Sequence, residues 1–252
     1  VTEITFKSAH YDFKAKYTYG KSKHYLPARL SKKNYEYLLN LSKIIFKKCN
    51  CRAIARLDFI LDSKSNCFYF LELNTHPGLT SISLAPEQAQ YNKINYLSLI
   101  EKIRIVRPDM SFSSDFIVGF PGETNEDFQH TINIINEVKF DESYSFIYSP
   151  RPNTTASEMP DDVSLEEKKE RLNILQSRLN QLSFGYSRKK VGTSQRCLIY
   201  GQSRRDPGQL QGRTICNRIV NFQSNQLDLV GHFANIQIQE ALTNSLRGSL
   251  AH

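Results

Sequence analysis

Apolar positions along the chain change rhythm several times. Over residues 33–48, Leu38, Leu41, Ile44 and Ile45 recur at the spacing of one helix face and predict a helix. Two strand-like runs follow, 53–61 and 67–73, joined by the polar turn 62–66. Pro77-Gly78 breaks the pattern, and a helix is predicted over 89–103. Residues 112–120 read as a buried strand ending in Pro121-Gly122. Thr124 is placed to cap a helix with Glu126 and Asp127 in its first turn and Ile132, Ile135 and Val138 behind them. A strand is predicted over 143–148. A helix over 164–187 opens with Ser164 and Glu167 at capping-box spacing, and Leu172, Leu175 and Leu179 share a face. Strand–helix–strand–helix is the rhythm of a parallel α/β sheet or barrel. From residue 189 onward the strands are short, β-branched and punctuated by Gly192, Gly201, Gly212, Gly231 and Gly248, which predicts a small β-barrel.

Composition narrows the class. With 252 residues, 40% hydrophobic and 23% charged, the chain suits one large domain or two to three small ones. No apolar stretch approaches the ~18 residues of a membrane span, and Val1 to Phe6 carries no basic leader, so the expectation is a soluble, cytoplasmic protein without a membrane partner. Five scattered cysteines read as reduced thiols. Charge is divided unevenly along the chain. Residues 1–103 hold 16 Lys+Arg against 8 Asp+Glu, residues 104–188 hold 9 against 14, and residues 189–252 hold 8 against 3. Two basic blocks around an acidic one suggest separate units with separate partners.

In the amino-terminal strands, residues two apart share a face, so Arg56 and Asp58 point together, as do Glu72 and Asn74. Two carboxylates and an amide oxygen are hard ligands suited to Mg²⁺ on nucleotide phosphates. Spacing alone favours charged strand ends at a surface. The longer strings decide otherwise. Tyr11-Asp12-Phe13-Lys14-Ala15-Lys16-Tyr17, Ala55-Arg56-Leu57-Asp58-Phe59 and the run from Leu71-Glu72-Leu73-Asn74 through Thr80-Ser81-Ile82-Ser83 closely resemble the D-alanine–D-alanine ligases of the ATP-grasp fold. The resemblance implies Mg²⁺ ligation by Asp58, Glu72 and Asn74 and a bound ATP. Arg56 and Ser83 would lie near the acyl phosphate, and Lys16 and Tyr17 on a covering loop. Ala53 departs from the family, which usually has glycine there. The family's substrate domain, its glycine loop and its adenine-side lysine are expected upstream of Val1, so ligase turnover by this chain is not expected.

After residue 104 a second resemblance takes over. Arg107-Pro108-Asp109, the run Ser113-Ser114-Asp115-Phe116-Ile117-Val118-Gly119-Phe120-Pro121-Gly122-Glu123-Thr124, Phe146-Ile147-Tyr148-Ser149-Pro150-Arg151-Pro152 and Gly212-Arg213-Thr214 closely resemble tRNA methylthiotransferases of the MiaB type. Asn217-Arg218, Asn221-Phe222 and Asn244-Ser245-Leu246-Arg247-Gly248 continue the match. It implies the last part of a radical S-adenosylmethionine barrel over 104–188, with Val118 and Gly119 at a cofactor-side strand end. Over 189–252 it implies a TRAM domain, a small RNA-binding barrel. The residues agree. Lys189, Lys190, Arg196, Arg204, Arg205, Arg213, Arg218 and Arg247 form a basic set with Tyr200, Phe222 and Phe233 among them. Such a set supplies phosphate affinity and rings for unpaired bases. The alternative is that the aromatics are core and only the arginines face RNA. Such enzymes methylthiolate an isopentenylated adenosine in tRNA and use two iron–sulfur clusters with S-adenosylmethionine. The cluster cysteines belong upstream, where this chain carries ligase-like sequence.

The expected architecture is therefore α/β plus all-β: an incomplete ATP-grasp α+β fragment (1–103), an incomplete radical-barrel fragment (104–188) and a TRAM barrel (189–252). The expected function is the tRNA-handling part of a methylthiotransferase fused to a ligase fragment, catalytically incomplete. The alternatives are a cell-wall D-alanine–D-alanine ligase, and an RNA-binding module or rearrangement product without function. The two resemblances meet near 99–104 with no Gly-, Pro- or Ser-rich linker between them, which suggests a gene rearrangement or an assembly junction.

Overall fold

The computed structural model describes residues 1–6, 22–80, 83–152, 154–203 and 206–251, and it divides into two units, Val1–Asp109 and Met110–His252. Lys16, Tyr17, Arg204 and Arg205 lie outside the described residues.

The first unit opens with an antiparallel pair, β1 (Glu3–Phe6) and β2 (Ser22–Tyr25). Helix α1 (Lys32–Lys48) begins where Ser31 Oγ accepts the Asn34 amide at 3.2 Å, and Lys47 and Lys48 sit at its electronegative end. Asn50 and Ala53 then take positive φ angles of 51° and 61° on the way into β3 (Arg56–Asp62). The alanine at 53 thus holds a left-handed position that glycine enters without a Cβ penalty. Strand β4 (Cys67–Asn74) returns antiparallel, and its register opposes Asp58 with Glu72 and Arg56 with Asn74. In the turn between them, the Asp62 carboxylate accepts the Lys64 amide at 3.0 Å and the Ser65 hydroxyl at 2.5 Å. The single helix expected over 89–103 is instead two, α2 (Leu84–Tyr91) and α3 (Tyr96–Val106). Lys93 is left-handed at φ 60°, and Asn95 restarts the helix by accepting the Ser98 amide at 2.9 Å. Asparagine competes for backbone partners in this way, so a second cap inside an apolar period splits it.

The second unit contains β5 (Asp115–Val118), α4 (Asn125–Val138), β6 (Tyr144–Ile147) and α5 (Leu165–Arg188). The expected strand–helix–strand–helix order is present, and β5 and β6 pair in parallel. The strand predicted over 112–120 is shorter because Gly119 and Gly122, at φ 70° and 80°, turn the chain immediately after Val118. Thr124 and Asp127 close a reciprocal capping box. At α5 the predicted box is only half made. Ser164 Oγ accepts the Glu167 amide at 3.2 Å, but the Glu167 carboxylate turns to Arg171, one turn on, at 2.5 Å.

The remaining strands, β7 (Ser194–Gln202), β8 (Gln209–Thr214), β9 (Ile219–Gln223), β10 (Phe233–Ala241) and β11 (Leu246–Leu250), form a closed barrel in the order β10-β11-β9-β8-β7. Neighbours are antiparallel except β9 and β11. Alternate residues point inward, and Cys197, Ile199, Leu210, Val220, Phe222, Ile236, Ile238 and Leu246 fill the core. Gly248 is required there, since a Cβ would stand 2.5 Å from the Gln237 carbonyl oxygen.

Candidate nucleic-acid interface

The period of two that fills the barrel also builds its outer face. On β7, Arg196, Leu198 and Tyr200 point outward between buried Cys197 and Ile199. Leu198 lies opposite Phe233 of β10 on one side and Arg213 of β8 on the other, while Arg196 pairs with Asn235. Phe233 and Tyr200 are 56% and 44% exposed. Each ring carries a cation: the Arg196 guanidinium lies 4.2 Å from the Phe233 centroid, and that of Arg213 lies 5.7 Å from Tyr200. The Tyr200 hydroxyl is hydrogen-bonded to Gln211, whose amide donates to Asn221 at 2.8 Å. Arg213 also donates to the Asn217 carbonyl at 2.8 Å. Among the described residues neither Arg196 nor Arg213 has an acidic partner. The face is therefore cationic, aromatic and open to solvent.

The other predicted RNA contacts divide. Lys189 is exposed, with its ammonium 5.4 Å from the Tyr186 ring, and Lys190 is half-buried beside it. Arg247 is exposed and paired with Glu240 at 2.8 Å. Phe222 belongs to the core and offers no ring to a base. Arg218 is corrected outright. It is 4% exposed and forms a bidentate pair with Asp141, itself 2% exposed, and it also donates to the Ser187 hydroxyl at 2.9 Å and the Ser183 carbonyl at 3.2 Å. Ser111 completes the shell, donating to Asp141 at 2.7 Å. Burial disfavours the charge on Arg218, but the Asp141 carboxylate outweighs it and raises its pKa. A guanidinium so enclosed has no face for a phosphate. Beside it, burial pushes the Cys216 thiol up, yet the Thr214 hydroxyl and Arg218 outweigh burial and hold it below the ordinary thiol range. Buried Cys197 is pushed up to about 11, first by burial.

At the end of β5, Val118 is fully buried, and the Gly119 amide donates to the Glu123 carboxylate at 2.7 Å. That carboxylate accepts Arg171 at 2.6 Å, and Arg171 continues to Asn125 at 3.0 Å. Lys168 reaches Asp161 at 2.5 Å and lies where a Cβ on Gly119 would stand, 2.3 Å from its Cγ. Sequence reasoning missed this charged network. Its signal was present: Lys168 and Arg171 begin the same buried stripe of α5 that ends in Leu175 and Leu179. The Tyr148 hydroxyl and Arg171 Nε are buried there without a hydrogen-bond partner among the described residues.

The amino-terminal carboxylates meet as expected from the strand register. Arg56 donates to Asp58 at 2.9 and 3.1 Å and to Glu72 at 3.2 Å. Asn74 lies at the end of the same ladder and accepts the His76 amide at 2.8 Å. Two opposed carboxylates with an amide oxygen are chemically suited to Mg²⁺. Ser83 stands at the start of α2, hydrogen-bonded to Thr80 at 2.8 Å. An iron–sulfur cluster finds no such donor set: Cys197 is locked in the barrel core, Cys49 and Cys67 are exposed, and no group of three His, Cys, Asp or Glu residues assembles among the described residues.

Comparison with known proteins divides the chain in the same manner. Residues 1–105 match the family model described as the D-ala D-ala ligase C-terminus, and residues 188–251 match that of the TRAM domain. A tRNA-2-methylthio-N(6)-dimethylallyladenosine synthase of Saccharophagus degradans is 56% identical over 157 residues, covering 62% of this chain and 35% of the relative. Synthases of the same name from Cellvibrio japonicus and Haemophilus influenzae are each 49% identical, over 71% and 72% of this chain and 39% and 38% of the relatives. The chain thus spans between a third and two fifths of the length of the curated relatives it matches. It joins ligase-type sequence to methylthiotransferase-type sequence, and no helix among the described residues is long and apolar enough to cross a membrane.

Proposed function

We propose that the carboxy-terminal part of this chain binds tRNA, as the substrate-handling part of a tRNA-2-methylthio-N(6)-dimethylallyladenosine synthase, and that the chain by itself completes neither methylthiolation nor D-alanine ligation. The observation that carries the reading is a closed barrel in a basic block whose cationic outer face, Arg196 and Arg213, forms no ion pair among the described residues. Such a surface gains phosphate contacts with counterion release, so affinity for tRNA falls steeply as salt rises. The test is fluorescence anisotropy of the full chain with labelled tRNA at low and moderate salt. Lys189→Ala, Lys190→Ala and Arg247→Ala together weaken binding and flatten its salt dependence, because phosphate contacts position without reading sequence. Absence of binding at low salt sinks the reading. Catalytic incompleteness is tested separately by anaerobic reconstitution with iron, sulfide and S-adenosylmethionine, where any methylthiolated tRNA contradicts it.

A second reading is supported by one observation: Asp58 opposes Glu72 across the β3–β4 ladder, with Arg56 bridging them. Under it, this ladder retains Mg²⁺–nucleotide affinity without turnover. Calorimetric titration with Mg²⁺ and ATP detects weak binding in the chain and none in Asp58→Asn/Glu72→Gln.

A further inference from the structure

We propose that the outer face of β7, β8 and β10 is a stacking platform for unpaired nucleobases, with the Phe233–Arg196 and Tyr200–Arg213 pairs as its two seats and Leu198 as the apolar floor between them. The inference rests on the tRNA-binding reading and deepens it by naming the part of the RNA that this face takes.

Exposure of the rings is the first ground. Phe222 shows that the barrel has room inside for an aromatic side chain, yet Tyr200 and Phe233 stand outside with Leu198 between them, across adjoining strands. A contiguous exposed apolar cluster costs solvation unless something covers it. The second ground is the arginines. Each guanidinium lies over its ring and forms no ion pair among the described residues; Arg213 is held in place by the Asn217 carbonyl, and the outward plane of each can stack on a base or engage a phosphate. The third is spacing. Neighbouring strands lie about 4.8 Å apart and residues two apart on a strand about 7 Å, which separates the two seats by roughly the rise of one to two extended nucleotides. Duplex RNA cannot use such a face, since its bases are stacked on each other and its shallow groove presents edges rather than planes. The platform therefore selects loops and single strands. The hydrogen bonds from Tyr200 through Gln211 to Asn221 hold one ring in orientation before the base arrives.

The test compares the full chain with Phe233→Ala, Tyr200→Ala and the double variant, measuring anisotropy with a labelled twelve-nucleotide single strand and with the same sequence as a duplex. Stacking on a ring contributes at least about fivefold in affinity per base, so each single variant loses about that much for the single strand and little for the duplex. The salt slope stays unchanged, because no charge has been removed. Phe233→Tyr keeps the affinity, because the stacking ring is kept, and far-ultraviolet circular dichroism shows that the barrel persists in every variant. Equal losses for single strand and duplex, or no loss for either, overturn the platform. If the aromatic variants bind normally while Arg196→Ala/Arg213→Ala binds neither RNA, phosphate attraction alone holds the RNA and the tRNA-binding reading survives without the platform. If the unmodified chain binds neither RNA, both fail.

Discussion

The barrel of β7–β11 and the β3–β4 ladder are built from similar strands, and an arginine at or next to the start of a strand in each pairs with an aspartate, from outside the barrel in one case and from the same strand in the other, but they treat their side chains differently. In the barrel every strand has two neighbours, and eight residues are essentially removed from water. In the ladder each strand has one neighbour among the described residues, and Ile60, Tyr69, Phe70 and Leu71 remain exposed. Arg218 and Asp141 are sealed; Arg56, Asp58 and Glu72 reach solvent. Closure satisfies all edges and gives one face to the core, leaving the other to carry function. An open ladder leaves both faces available, and its charged end keeps water as a competing partner.

The sharpest way to break the comparison is through the two arginines. Arg218→Ala leaves the Asp141 carboxylate buried and unpaired, for a loss of about 3–5 kcal/mol read as a lower midpoint in urea. Arg56→Ala removes a solvated pair and changes stability by about 0–1 kcal/mol. Equal effects would mean that burial is not what distinguishes the sites. Core truncation follows closely. Ile236→Ala costs about 2–5 kcal/mol, whereas Leu71→Ala on the ladder stays within about 0.5 kcal/mol, both by chemical denaturation.

A smaller effect concerns glycine. Gly248→Ala drives a Cβ onto the Gln237 carbonyl and costs about 1–3 kcal/mol, while Gly185→Ala on α5, where nothing lies within 4 Å, stabilises that helix by roughly 0.5–1 kcal/mol. The smallest effects are thiol and proton readouts. At pH 8 the exposed Cys49 and Cys67 are alkylated first, and Cys216 ahead of Cys197, whose thiol at about 11 stays protonated until the barrel opens; mass spectrometry of partly labelled chain gives the order. Arg107 holds the exposed Asp109 carboxyl down to about 2. A lowered acid contributes stability above its ordinary range and loses it as pH falls towards 2, so Asp109→Asn slightly flattens the acid limb of a stability–pH curve.

Much of this was legible along the chain. Thr124 and Ser164 cap helices where their positions predict, and the alternation around 196–200 sorts Cys197 and Ile199 inward from Arg196 and Tyr200 outward. The same parity holds for Arg218, which falls in step with buried Val220 and Phe222, but a positive charge by itself argues for solvent and masks that signal. The break at 92–95 was hidden because the apolar period continues across Asn92 and Asn95.

By itself the sequence determined the local elements, the two family resemblances and the uneven charge, since each depends on residues within a turn or a strand of one another. Only the tertiary structure decided which charges are spent inside. Arg218 is neutralised by Asp141, 77 residues away, and Arg171 by Glu123, 48 away. A buried charge is tolerable only with a partner brought in by the fold, and no pattern along the chain specifies that partner.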